Sequence, residues 1–204
     1  MYPILSQNIE NILQLEVSKD RKSLLQPLMD YIQNKVDERK NVNLNFICTH
    51  NSRRSHLSQV WAQTAAAYFG IDKVYCYSGG TEATAVFPKI IETLQRTGFE
   101  VLQLSENNNP VYAFKFSADS TPIMAFSKKY DHGFNPALDF AAIMTCSSAD
   151  EDCPIVFGSD LRIPMTFDDP KAFDNTPLQD EKYMERSLQI ASEIFYICSQ
   201  IKTA

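Results

Sequence analysis

The chemistry of this chain concentrates in one run: Cys48-Thr49-His50-Asn51-Ser52-Arg53-Arg54-Ser55. A thiol opens it, and an arginine followed by a hydroxyl closes it. In a turn of this kind successive backbone N–H groups can form a nest for an anion, and the following helix N-terminus adds positive potential. A thiolate at the start of the run is stabilised by the same donors and by the nearby arginine. Arg54 carries a planar fork able to hold two oxygens of a tetrahedral oxyanion. Thr49, His50, Asn51, Ser52 and Arg53 complete the oxyanion-binding loop. Asn51 tolerates a left-handed backbone, and Ser55 can donate to the Cys48 sulfur when it becomes a leaving group. A buried strand cysteine before an ordinary helix cap would use the same residue types. The placement of the run between a strand and a helix favours the chemical reading.

A thiolate that displaces oxygen from an oxyanion needs a proton donor for the departing oxygen. Thr166-Phe167-Asp168-Asp169-Pro170 supplies two candidates, Asp168 and Asp169. Asp-Pro is also a common turn pair, and it gains a chemical role here only through the loop at Cys48. A second pair, Cys146 and Cys153, brackets a Ser/Ala/Asp-rich run. Six residues separate them, more than the two to four usual in a structural zinc knuckle, so no metal site is expected. Cys76 and Cys198 read as small buried hydrophobes.

The elements that must position these residues alternate between strand and helix. Asn43–Cys48 reads as a buried strand feeding the loop, and His56–Phe69 as a helix ended by Gly70. Val74–Tyr77 is a second strand, followed by a Gly79-Gly80 turn. Thr84–Arg96 is a helix, Phe99–Leu104 a third strand, and Phe140–Thr145 and Ile163–Phe167 are further strands. Lys182–Ile201 closes the chain as a helix. Val111–Phe116 and Ile123–Phe126 read as an inserted hairpin. Such alternation implies an α/β fold with a parallel sheet covered on both faces, whose ligands bind at the carboxyl ends of the strands. Residues 5–38 are apolar at helical spacing and read as two helices broken near Ser18–Asp20. They form an N-terminal helical extension (1–40) ahead of the main domain (41–204).

Composition restricts the class. The 204 residues are 44% hydrophobic and 22% charged, which suits one globular domain with a sizeable core. Nineteen Lys and Arg against twenty-five Asp and Glu leave a net charge of −6, which argues against a broad nucleic-acid or anionic-membrane surface. No leader-like basic flank and no run of 18 apolar residues occurs, so a cytoplasmic location is the expectation. Five cysteines, an odd number, read as thiols rather than a disulfide framework. His56 and His132 carry no partner motif and read as helix-face or surface residues.

The Cys-x5-Arg-Ser run after a first strand resembles the signature of the low-molecular-weight protein tyrosine phosphatase superfamily. The resemblance covers roughly residues 43–200 and implies a three-layer α/β/α fold with a four-stranded parallel sheet. It implies Cys48 as nucleophile, Arg54 as oxyanion clamp, Ser55 as thiolate partner and Asp169 as general acid, with Asp168 the alternative. His50 stands where the family usually has glycine, and Arg53 where it often has a second cysteine. Lys171 and Ala172 follow the Asp-Pro pair where the phosphatases usually carry tyrosines that flank an aryl substrate. The Cys146–Cys153 segment, with Pro154 after it, resembles the thioredoxin-coupled arsenate reductases of the same fold. That resemblance implies reduction of arsenate to arsenite by Cys48, with a Cys146/Cys153 disulfide relay, no tightly bound cofactor and thioredoxin as external reductant. The alternatives are a tyrosine or small-phosphoester phosphatase using Cys48, Arg54 and Asp169, and a non-catalytic oxyanion-binding or redox-sensing protein.

Overall fold

Val42–Cys48 is apolar at five of its seven positions, and the fold buries it as an inner strand, β1. A computed structural model describes residues 1–152 and 155–203; Cys153 and Pro154 lie outside the described residues. The neighbours of β1 are β2 (Val74–Gly80) on one side and β6 (Phe140–Met144) on the other, both parallel. A fourth strand, β7 (Ser159–Pro164), pairs in parallel with β6, giving the order β2-β1-β6-β7. The parallel sheet is therefore as the strand–helix alternation predicts, and its four strands are as the family resemblance implies.

Three strands stand apart in an antiparallel sheet: β3 (Glu100–Gln103), β4 (Tyr112–Lys115) and β5 (Ile123–Ala125). The expected inserted hairpin is β4–β5. The run expected as a third strand after the second helix becomes β3 of this sheet, because the chain turns back through Asn107–Pro110 and pairs β3 with β4. The strand expected at Ile163–Phe167 begins earlier, at Ser159. Beyond Pro164 the chain still donates from Met165 and Phe167 to the end of the β6 segment, which carries it to the acid loop.

Helix α1 (Pro3–Ile12) and helix α2 (Lys19–Asp37) form the N-terminal extension, with Ser18 capping α2 through its hydroxyl. Their apolar faces are not a separate body. Leu5, Ile9, Leu25, Leu28 and Ile32 are buried in the same core as Trp61 and Phe195. That core also takes in α3 (Arg54–Tyr68) and α6 (Gln179–Ser199). Helix α4 (Pro88–Thr97) starts four residues later than the periodicity suggests, because Pro88 fits only the first turn and residues 84–87 are spent bracing the loop at Cys48. Helix α4 ends at Gly98 with φ +106, where an added Cβ would meet the Leu5 nitrogen at 2.5 Å; glycine lets α1 pack there. A short helix, α5 (Ser147–Asp152), and a 3-10 turn at Pro170–Phe173 complete the chain's regular elements.

Candidate active site

The loop between β1 and α3 is shaped by what its carbonyls touch. Cys48 O accepts from Thr81 N (3.1 Å), Thr49 O from Glu82 N (2.8 Å), and Ser52 O from Phe87 N (3.0 Å). His50 O accepts from the Ser127 hydroxyl at 2.9 Å, and Asn51 O accepts from His56 Nε2 at 2.8 Å. Each carbonyl from Cys48 to Ser52 is thus drawn outward into the surrounding wall. The amides of residues 49–53 are left to the inner side, and none donates to another protein group among the described residues. That is the arrangement of an anion nest. Asn51 sits at φ +44. Its side chain donates to Ser55 Oγ (2.9 Å) and accepts from Lys128 N (2.9 Å), which ties the loop across its own turn.

Gly79 and Gly80, expected as a turn, are the last residues of β2. A Cβ on Gly80 would lie 2.6 Å from Thr49 O and 2.7 Å from Asn51 N, and one on Gly79 would lie 2.3 Å from the Tyr130 Cα. Two bare backbones are needed because the loop on one side and the Ser127–Tyr130 segment on the other both press against β2 here. His56, expected as a surface or helix-face residue, lies on α3 and is fully buried. Its Nε2–H donates to Asn51, and the Ser78 hydroxyl lies 3.2 Å from Nδ1. Burial, then the charge of Lys128, pushes its pKa down to about 3, so it is held as the neutral tautomer that this pairing requires.

Inside this frame Cys48 Sγ lies 3.1 Å from Ser55 Oγ. Arg54 Nη1 donates to Phe167 O at 2.8 Å and Nη2 to Asp169 Oδ2 at 2.5 Å. Its Nε is buried and without a partner among the described residues. A cavity of about 200 Å³ opens over these groups, lined by Cys48, Thr49, His50, Ser52, Arg53 and Arg54 from the loop and by Ser148, Asp169 and Lys171 from outside it. Asp169 also caps the 3-10 turn through Lys171 N. Asp168 points elsewhere: its side chain is 96% exposed and reaches Arg186 at 3.3 Å. Arg53 is locked by Tyr183 OH and Asp174 Oδ2, each at 2.7 Å, and lies over the Phe87 ring.

Cys146 is 1% exposed and shares a small buried cluster with Cys48. Its sulfur lies 3.5 Å from Thr49 Oγ1, the residue next to Cys48, and accepts from Ala149 N at the start of α5. Cys153 lies outside the described residues. Cys76 and Cys198 are buried, and burial pushes both thiols up, Cys198 to about 12. His56, Ser127, Lys128 and Tyr183 escaped the sequence reading. Only Gly79-Gly80, two glycines at the end of a strand, carried a signal of the close packing.

A family model described as low molecular weight phosphotyrosine protein phosphatase matches residues 43–116. "Arsenate reductase 2" of Staphylococcus epidermidis is 30% identical over 125 residues, covering 61% of this chain and 76% of that protein. The chain belongs to the low-molecular-weight phosphotyrosine phosphatase family. An arsenate reductase of Staphylococcus aureus is 26% identical over 150 residues, 74% of this chain and 92% of that one. In structure, a low-molecular-weight protein tyrosine phosphatase from T. tengcongensis superposes with a TM-score of 0.52 at 13% identity, over 79% of this chain and all of that one. That likeness establishes the family's fold for this chain. It is an enzyme, of the reductase or the phosphatase kind represented in the family. No helix among the described residues is long and apolar enough to cross a membrane.

Proposed function

We propose that this enzyme reduces arsenate to arsenite. The observation that carries the proposal is the position of Cys146: a second buried thiol beside Thr49, in the cluster that holds Cys48. A phosphatase has no use for it. Its relatives named arsenate reductase point the same way.

Arsenate enters the cavity as a tetrahedral dianion, meets the free amides of residues 49–53 and competes with Asp169 for the Arg54 guanidinium. Cys48 thiolate attacks arsenic, an As–O bond breaks, and the Asp169 carboxyl protonates the departing oxygen, which leaves as water. Cys146 thiolate then attacks Cys48 Sγ. The S–As bond breaks, its electron pair goes to arsenic, and arsenite leaves as a Cys48–Cys146 disulfide forms. Cys153 thiolate attacks Cys146, expels Cys48 as thiolate and leaves a Cys146–Cys153 disulfide. A thioredoxin dithiol reduces that bond and is itself oxidised. Ser55, 3.1 Å from Cys48, supports each step in which Cys48 is a leaving thiolate.

A phosphatase reading uses the same loop with Arg54 and Asp169 and needs neither Cys146 nor Cys153. Lys171 weighs against an aryl phosphate, because the cavity rim that would stack on an aromatic ring carries an ammonium instead. Arsenate-dependent NADPH oxidation with thioredoxin and its reductase, run beside hydrolysis of an aryl phosphate, separates the two. The reductase reading requires turnover of arsenate that Cys146→Ser abolishes. Aryl phosphate turnover indifferent to that substitution, with no arsenate activity, returns the phosphatase.

A further inference from the structure

Against the outer side of the Cys48 loop lies a lysine with no carboxylate to balance it. Lys128 is 2% exposed, and its Nζ lies 4.4 Å from the centre of the Phe126 ring and 5.4 Å from that of Phe134. Nζ donates to Phe126 O at 3.3 Å, and it forms no ion pair among the described residues. A buried charge is expensive unless an opposite charge offsets it. Burial pushes the Lys128 pKa down to about 7.

The backbone around this lysine is part of the loop's wall. Lys128 N donates to Asn51 Oδ1 at 2.9 Å, and Lys128 O accepts from Gly80 N at 2.9 Å. The Ser127 hydroxyl donates to His50 O at 2.9 Å. The charge is felt at the loop as well: it helps to hold His56 neutral, and His56 Nε2–H donates to Asn51 O. The other ionisable groups around Lys128 do not neutralise it. They are His56 from α3, Tyr77 of β2, whose ring meets Phe134, and His132, whose ring meets Phe126. A histidine is neutral or positive, and burial raises the Tyr77 pKa. Lys129 and Asp131 of the same segment are exposed. Across the loop stands Cys48, whose thiolate lies in the same field. A charge in a buried, weakly polarisable setting acts over several ångströms, so the ammonium can attract a dianion in the nest without touching it.

We infer that Lys128 supplies buried positive charge to the oxyanion site: charged, it draws a tetrahedral dianion into the nest, the dianion in turn keeps it charged, and oxyanion affinity falls as the pH rises through neutrality. The inference rests on the reading of the Cys48 loop as an oxyanion site and holds for a reductase and a phosphatase alike.

Sulfate is the probe, because it keeps two negative charges across the range where phosphate and arsenate titrate. Its affinity is measured by calorimetry from pH 6 to pH 9 in full-length Cys48→Ser, which removes the thiolate's own titration, with and without Lys128→Met. At pH 6 the protein with Lys128 should bind sulfate about tenfold more tightly, and the two affinities should converge by pH 9. A merely structural role would weaken binding by the same factor at every pH, and that result overturns the inference, as does equal affinity throughout. If Lys128→Met does not fold, the Lys128 Cε resonance in the ¹³C-lysine-labelled protein decides. Saturating sulfate should raise its titration midpoint by about one pH unit, the equivalent of the tenfold change. An unmoved midpoint in protein saturated with sulfate overturns the inference alone. Failure of any of these proteins to bind sulfate at pH 6 overturns it together with the oxyanion reading of the loop.

Discussion

Arg54 and Asp169 are joined by an ion pair at 2.5 Å, and Arg54 Nε is buried without a partner among the described residues. Under the proposed reaction Asp169 is the acid, and Arg54 holds the oxyanion. Replacing Arg54 by lysine keeps the charge and loses the fork, so it cannot bond Phe167 O, Asp169 and an oxyanion together. Arsenate kcat/KM should fall by about 10²-fold in Arg54→Lys, as for removal of one oxyanion donor. Steady-state kinetics showing a change of less than threefold would place oxyanion recognition on the amides alone. The order of the relay is open to a chemical test. In Cys153→Ser, one turnover of arsenate should trap a Cys48–Cys146 disulfide, found by peptide mapping after an acid quench. In the wild type without thioredoxin the trapped bond should be Cys146–Cys153. Only Cys48 disulfides in both proteins would contradict the order.

Among the elements, the end of β2 is the mould of the catalytic loop. Gly80 lies against Thr49 O and Asn51 N, both backbone atoms that cannot swing aside. Gly80→Ala should therefore displace the loop. A cost of about 1–3 kcal/mol in urea unfolding is expected, as for other overpacked sites, together with loss of phosphate binding by calorimetry. A variant that binds phosphate normally would show that the loop can move without harm. In the proposed relay helix α5 has a comparable part. It places Ala149 N on the Cys146 sulfur, and a helix run straight from Cys146 to Cys153 would hold their Cα atoms roughly 10 Å apart, beyond the 4.4–6.8 Å or so of a disulfide. Under the proposed relay this helix unwinds when the second disulfide forms. Far-ultraviolet circular dichroism should then lose a small helical signal on oxidation by arsenate, and should not do so in Cys153→Ser.

For the molecule as a whole, the bracing of the loop makes stability depend on pH. His56 is held neutral, with a pKa near 3 against an ordinary value of 6.5. The unfolded chain therefore binds a proton between those values that the folded chain refuses. Stability is fully present above about pH 6.5 and declines as the pH falls toward 3, by roughly 5 kcal/mol at the acid limit. Lys128, buried against Phe126 and Phe134, is pushed down to about 7 by burial. Here too the unfolded state holds the proton more readily, so stability rises with pH between about 7 and 10.5. Urea titrations across pH should show Lys128→Met flattening the upper window and narrowing the lower one, which keeps the part due to burial of His56 and loses the part due to the Lys128 charge. A wild-type profile flat from pH 4 to 10 would mean that neither group titrates as its surroundings dictate.

How much of this was legible in the chain follows from the range of the interactions concerned. Cys48 to Ser55 could be read because strand, loop and helix are contiguous, and their residue types already state the chemistry. The parallel sheet was legible from buried apolar runs alternating with helices, and the Asp-Pro and Cys146/Cys153 pairs from local spacing and family resemblance. Contacts distant in sequence were decided only by the tertiary structure. Asp169 faces the cavity and Asp168 faces Arg186 because a 3-10 turn aims one and not its neighbour. Lys128, Ser127 and His56 reach the loop from β5's exit and from α3, with nothing in their own neighbourhoods to announce it. Residues 100–103 suit either sheet by pattern, since an apolar alternation specifies a strand and not its partner. Only the return of the chain through Asn107–Pro110 settles that pairing.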